Sequence, residues 1–230
     1  MYQHFFKRVL DIVCALLALI VFCWLYAIIA VLVRVKLGSP VLFKQIRPGK
    51  KDKNGQERLF KLYKFRTMTD EKDADGKLLT DEIRLTKFGA WLRSTSLDEL
   101  PEAINILKGD MSVIGPRPQL VRDMVFMTTE QRKRHNVRPG LSGLAQVRGR
   151  NAISWEGKLA TDLEYIEHIT FLGDVKIVLQ TVGKFIKRED VVREGTVSDM
   201  DYGDVLLKEG KVNSEEYQLK QKEAKELLRV

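Results

Sequence analysis

Apolar and polar positions divide this chain sharply. From Ile12 to Val33 no residue is charged, and as a helix that run is ~33 Å long, enough to cross a hydrocarbon core of about 30 Å. Signal peptides have shorter apolar regions and a small-residue cleavage site, and neither is evident here. The pattern therefore predicts a helix that meets lipid. Lys7 and Arg8 precede it, and Arg34 and Lys36 follow it. A simple span gathers Lys and Arg on its cytoplasmic flank, so balanced flanks suit a re-entrant helix that returns to its own face. They suit equally a span with a short basic arm, and spacing alone does not choose. Asp11 adjoins the run, where a carboxylate needs a partner; Lys7, one turn earlier, is the one at hand.

After the turn at Gly38-Ser39-Pro40, Val41–Gln45 and Leu59–Met68 are rich in β-formers. Pro48-Gly49 and Asn54-Gly55 lie between them, which predicts a β-hairpin. Lys61, Lys64 and Arg66 interleave with Phe60, Tyr63 and Phe65, by itself the pattern of a half-exposed strand with solvated charges. Residues 70–82 are acidic and polar, an exposed loop. Thr86 caps a short helix ending near Arg93. Ser96-Leu97-Asp98-Glu99 fits a capping box, with Pro101 in the first turn, and predicts a helix to Leu107 closed by Gly109. In Val175–Arg188 the residues Val175, Val178, Leu179, Val182, Phe185 and Ile186 share one face. Lys176, Lys184, Lys187 and Arg188 lie opposite, with Ile177 the exception. A helix in a membrane interface has this wheel, and so does an ordinary core-facing helix. From Asn213 the chain reads as a charged helix without evident chemistry.

Composition narrows the chemistry. With 230 residues, 44% apolar and 30% charged, the chain is one ordinary domain with at most an appendage, neither disordered nor collagen-like. Its two cysteines, Cys14 and Cys23, exclude a disulfide framework or a Cys-rich zinc module. His4, His135 and His168 have no metal-binding spacing and read as structural or surface residues. The net charge of +8 points to a polyanionic partner: nucleic acid, acidic lipid or sugar nucleotide. There is no G-x-S-x-G, Walker loop or G-x-G-x-x-G, so serine hydrolase, P-loop and Rossmann chemistry have no support. What remains is a carboxylate pair opening a helix and arginines in rigid turns, including Gly115-Pro116-Arg117-Pro118 and the Gly-rich basic stretch from Gln131 to Asn151. Asp98 at a helix N-terminus stays ionised and is a candidate nucleophile. Arg93 and Arg117 are candidates to hold a phosphate, Mg²⁺ to bridge diphosphate oxygens, and Glu99 to manage a proton. The same two acids also fit dipole-matched caps, and the residues alone leave both readings open.

Five blocks in order carry a resemblance: FKRVLDI from Phe6, GSPVLFKQIRPG from Gly38, FKLYKFRTM from Phe60, RSTSLDELPEAINILKGDMSVIGPRP from Arg93, and VRPGLSGLAQVRGRN from Val137. From Phe6 to about Val192 the chain resembles the bacterial sugar transferases known as small monotopic phosphoglycosyl transferases. The resemblance implies transfer of a sugar-1-phosphate from a UDP-sugar to polyprenyl phosphate with release of UMP. It implies a ping-pong course through a covalent aspartyl-phosphosugar. Asp98 matches the nucleophile and a partial Mg²⁺ ligand, and Glu99 its partner toward the polyprenyl phosphate. Arg93 and Arg117 match phosphate-contacting positions, and Lys64 lies in a matching Lys-Phe-Arg segment near the site. Asn151-Ala152-Ile153-Ser154-Trp155 brings the likeness closest to members that transfer phospho-N,N′-diacetylbacillosamine.

The implied fold is an α-rich α+β one, with a re-entrant membrane helix over 1–37, a catalytic domain over 38–195 and a charged C-terminal extension over 196–230. Interfacial amphipathic helices and a small β-hairpin would surround the site, on the cytoplasmic face of the bacterial inner membrane. Implied partners are the UDP-sugar, polyprenyl phosphate and membrane lipid, and no nucleic acid; oligomeric state is not legible. Relatives break the membrane helix at a Ser-Pro pair, where this chain has Cys23-Trp24 and no proline from residue 9 to residue 39. On that ground a straighter or spanning helix is the competing expectation. The alternative function is a membrane-tethered basic domain that binds a polyanion through the turns at 132–150 without catalysis.

Overall fold

The computed structural model describes residues 1–149, 153–187 and 200–229, the side chains of His4, Ile186 and Lys187 excepted. Arg188, Asn151, Ala152 and the proposed boundary at 195 lie outside the described residues.

The apolar run forms α1 (Lys7–Val21), preceded by a wide helical turn over Tyr2–Phe6, and α2 (Cys23–Leu37). Together they are one helix bent by 65°. The bend needs no proline. Phe22 alone leaves helical dihedrals (φ −100°, ψ 13°), while its N–H still reaches the Ala18 carbonyl and its carbonyl still accepts from the Tyr26 N–H. Nothing local forces a kink; instead, each arm is fixed separately to the body.

On α1 the buried positions are Lys7, Asp11 and Ala15, four apart on one face. Lys7 Nζ lies 2.5 Å from Asp174, which also accepts from the hydroxyls of Tyr2 (2.7 Å) and Tyr165 (2.8 Å). Asp11 accepts from the Ser112 hydroxyl at 2.9 Å and the Val113 N–H at 2.8 Å. The expected Lys7–Asp11 pair is therefore replaced by two long-range anchors. Both charges are buried, and each takes the partner that best offsets its desolvation. On α2, Ile29, Val33 and Leu37 repeat the same spacing and pack on Phe65 and Leu92. Around the bend Leu17, Ile20, Val21, Trp24 and Val31 stay exposed.

β1 (Leu42–Lys51) and β2 (Glu57–Phe65) pair antiparallel from Leu42 opposite Phe65 to Pro48 opposite Leu59. Pro48-Gly49 is not a turn: it lies inside β1, where the register shifts. The reversal falls at 52–56, where Asp52 accepts from the N–H groups of Asn54 and Gln56. Residues 70–82 are an exposed loop as expected, ending in α3 (Asp81–Arg84). Thr86 caps α4 (Lys87–Ser94) through the Gly89 N–H. Next come α5 (Glu102–Lys108), β3 (Ser112–Ile114), α6 (Val121–Met124) and β4 (Gly140–Ser142). Neither β3 nor β4, which run parallel, is among the elements predicted from the sequence. A Cβ on Gly140 would sit 2.0 Å from the Gly115 N, so this contact requires glycine.

The remaining helices are α7 (Leu144–Gly149), α8 (Trp155–Glu167), α9 (Phe171–Lys187), α10 (Tyr202–Lys208) and α11 (Ser214–Leu227). On α9 the inward residues are Asp174 and Ile177, the exception in the helical wheel. Ile177 joins Ile114, Val147 and Tyr165. The apolar stripe faces out, with Leu172 76% and Leu179 66% exposed, so it is not a core face. Tyr202, Leu206 and Ala224 of α10 and α11 pack with Val121, Met124 and Phe126 around α6.

Lys7→Met should lower stability by about 3 kcal/mol, because it leaves the buried Asp174 charge without its cation. Lys7→Met/Asp174→Asn should recover part of that loss. Thermal unfolding of the detergent-solubilised chain measures the coupling, and strict additivity would contradict the assigned pair.

Candidate active site

The turn between α4 and α5 sets the site. Ser96 is left-handed (φ 51°, ψ 17°) and its hydroxyl caps nothing, so the expected capping box does not form. A 3₁₀ turn over Leu97–Glu99 follows, and α5 opens behind Pro101. A non-glycine residue in this region costs on the order of 1 kcal/mol, offset here by the packing around it. Tyr26 of α2 donates to the Leu100 carbonyl at 2.5 Å, which ties this turn to the apolar helix.

All five residues singled out in the sequence converge here. Lys64 at the end of β2 lies 2.6 Å from Glu99 Oε1, and Arg117 lies 2.8 Å from the same oxygen. Arg93 donates to the Thr67 hydroxyl at 3.1 Å, and its charge acts on Asp98. Lys64 and Arg66 are thus not solvated strand charges. Arg66 instead holds the Ser39 and Met68 carbonyls and Asp70.

The carboxyls differ in what holds them. Burial would lift Glu99, but Arg117 and Lys64 outweigh it and keep its carboxyl well below the usual range. Asp98 is 7% exposed and takes no hydrogen bond or ion pair from any described residue. Burial pushes its carboxyl up to about 6, with Lys64 pulling down, Glu99 pushing up, and Arg93 and Arg117 pulling down. Near pH 7 Asp98 is therefore mostly ionised and uncommitted. Glu102, which the sequence reading did not single out, lies 3.3 Å from Lys64. Burial and the Glu99 charge raise its carboxyl to about 7. Its signal was available as the third acid of the Asp98-Glu99-Leu100-Pro101-Glu102 run. Arg47 was legible only as part of the IRPG block. It donates to the Pro118 carbonyl at 3.3 Å and to Gln45 at 2.7 Å, adding positive charge behind Arg117.

Among the described residues no group of three or more His, Cys, Asp or Glu side chains forms a metal cage. Mg²⁺ is usually held by one or two carboxylates plus substrate phosphates and water. One uncommitted carboxylate at Asp98 suits that mode. The basic stretch from Gln131 is used inside the protein. Arg132 and His135 meet Glu57, Arg134 is buried on Asp162, Arg138 holds the Gly109 carbonyl, and Arg148 pairs with Glu164. Among its described residues these side chains are engaged in the protein's own contacts.

Comparison with known proteins places the chain in a family. The bacterial sugar transferase family matches residues 2–188, and the chain belongs to that family of transferases. It is 46% identical over 192 residues to the uncharacterized sugar transferase EpsL of Bacillus subtilis, covering 84% of this chain and 93% of that one. A UDP-glucose:undecaprenyl-phosphate glucose-1-phosphate transferase of Klebsiella pneumoniae is 38% identical over 194 residues, 78% of this chain and 40% of its own. A UDP-N-acetylgalactosamine-undecaprenyl-phosphate N-acetylgalactosaminephosphotransferase of Aeromonas hydrophila is 37% identical over 190 residues, 77% and 43% of the two chains.

Because Lys64 pulls the Asp98 carboxyl down, Lys64→Met should raise its midpoint above about 6. Carboxyl ¹³C shifts followed against pH measure it; an unchanged or lower midpoint would contradict the assigned field.

Proposed function

We propose that this protein is a phosphoglycosyl transferase that moves a sugar-1-phosphate from a UDP-sugar to undecaprenyl phosphate. The observation that carries the reading is Asp98, a buried and uncommitted carboxylate among Lys64, Arg93 and Arg117. In the first half-reaction an Asp98 oxygen attacks the phosphorus that bears the sugar. The bond to the bridging oxygen breaks, and UMP leaves with that oxygen and its electron pair. In the second, an oxygen of undecaprenyl phosphate attacks the same phosphorus and displaces Asp98 as a carboxylate. Arg93 and Arg117 stabilise the charge on the phosphoryl oxygens. Glu99, fixed by Lys64 and Arg117, keeps those cations in place and faces the acceptor step. Bound Mg²⁺, with Asp98 as a ligand, would supply charge neutralisation on the diphosphate. Two of the named relatives act on UDP-glucose and UDP-N-acetylgalactosamine. For the diacetylbacillosamine assignment, Ser154 and Trp155 have structural uses, capping α8 and bonding the Met200 carbonyl.

The membrane arrangement follows from the same parts. Each arm of the bent helix is about 22 Å long, short of a hydrocarbon core of ~30 Å. Lys7 and Asp11 at one end and Val33 and Leu37 at the other meet the same body. That supports a re-entrant, monotopic helix with both ends on the cytoplasmic face of the bacterial inner membrane. The outward stripe of α9 lies in the interface.

Asp98→Asn should abolish both UMP release and labelling of the protein by a radioactive UDP-sugar, while wild type needs added Mg²⁺ and loses activity to EDTA. Near-normal turnover of the variant would remove Asp98 as nucleophile. In wild type kcat/KM should rise with pH through about 6 as Asp98 ionises. A panel of UDP-glucose, UDP-N-acetylgalactosamine and UDP-N,N′-diacetylbacillosamine identifies the sugar. For topology, a cysteine added before Met1 in a Cys14→Ser/Cys23→Ser background should resist an impermeant thiol reagent on intact cells. Labelling from outside would overturn re-entrance.

A further inference from the structure

A second basic site lies at the other end of α5. There a cavity of about 200 Å³ opens between the start of α1, the end of β1 and the segment before β4. Its lining includes Lys7, Arg8, Lys50 and Arg138 against one carboxylate, Asp11. Asp11 accepts from Ser112 and Val113 through one oxygen and its charge acts on Arg8 and Arg138, while Lys7 pairs with Asp174. None of the other three cations forms an ion pair with a described residue. Arg8 donates to the carbonyls of Ile106 (2.6 Å) and Leu107 (2.9 Å), and Arg138 to that of Gly109 (2.8 Å).

Those bonds cap α5 and use only part of each guanidinium, since Arg has five N–H donors. They also bring two like charges to the same helix end, and the Arg8 charge, after burial, lowers the pKa of Arg138. A cap alone needs one cation. Two guanidiniums and an ammonium around a polar cavity form a receptor for a tetrahedral dianion or diester. Phe5, Phe6 and Val9, which flank the lining residues Lys7 and Arg8 in sequence, are 62%, 48% and 43% exposed at the start of the apolar helix. That is where lipid headgroups sit when the helix is embedded.

We propose that this cavity binds a phosphate group through Arg8, Lys50 and Arg138, separately from the Asp98 site. The phosphate is carried by an anionic phospholipid or by a soluble phosphate ester. The seven residues of α5, ~10 Å of helix, separate the two sites, so a ligand here does not occupy the reacting position.

The test uses the full chain extracted from membranes containing phosphatidylglycerol and phosphatidylethanolamine, with bound lipid counted by native mass spectrometry. Wild type should retain one phosphatidylglycerol per chain. Lys50→Glu, at an exposed side chain with no ion pair, should cut that retention at least ~5-fold, and Arg138→Gln should do likewise. Lys77→Glu makes the same charge change in the exposed 70–82 loop and should leave retention intact. Inorganic phosphate, titrated into delipidated protein with thermal unfolding as the readout, is the second arm. A saturable stabilisation lost in Lys50→Glu, without lipid retention, assigns the site to a soluble phosphate ester. If neither arm shows a Lys50-dependent ligand, or Lys77→Glu matches Lys50→Glu in both, the site does not exist.

Discussion

Two buried carboxylates bind the apolar helix to the rest of the protein. Asp174 collects an ammonium and two phenols, and Asp11 collects a hydroxyl and a backbone N–H. Charges so placed are costly unless fully partnered, and here the partners come from Tyr2 and Lys7 at the start of the apolar helix, from β3 and from α8. The first arm is thus fixed in register against β3, α8 and α9. The second arm is fixed by Ile29, Val33 and Leu37 and by the Tyr26 hydroxyl, which reaches the carbonyl beside Glu99. Through these contacts the turn that carries Asp98 and Glu99 is set relative to the exposed apolar bend.

Inside the site, three carboxyls within a short stretch of chain are set to different affinities for protons. Glu99 owns the two nearest cations and stays ionised, whereas Asp98 feels those cations without touching them. Glu102 shares one ammonium and bears the repulsion of Glu99. This is separation by partner choice more than by depth, since all three are largely buried. The arrangement leaves the Asp98 carboxylate without a direct partner among the described residues by giving the salt bridges to its neighbour, and a free lone pair is what the proposed nucleophile needs.

Much of this was legible in the sequence. The uncharged run, the β-formers around Asn54-Gly55, Thr86 as a cap and Gly109 as a stop all appear in the structure as local patterns predict. Pairing across distance was not legible: nothing near Lys7 or Asp11 in the chain points to Asp174 or Ser112. The capping box at Ser96 failed because the tertiary turn holds Ser96 left-handed, and Pro48-Gly49 was overridden by the pairing of its strand. β4 was missed because three residues among glycines carry no periodicity. Asp98, Glu99, Arg93 and Arg117 stood out as a carboxylate pair opening a helix with arginines in nearby turns, Lys64 came from a shared block, and the structure brings all five together. Glu102 and Arg47 were passed over because their roles depend on neighbours that only folding supplies.

The bend at Phe22 has a consequence for how the protein is assembled. Its shape is stored in remote sequence, since the cation at residue 7 has to await an anion at residue 174. A nascent chain that has not yet reached that point holds an apolar segment with no instruction to turn back. The bent form is therefore an outcome of completed folding, and the residues at the apex are free to vary as long as both arms keep their moorings.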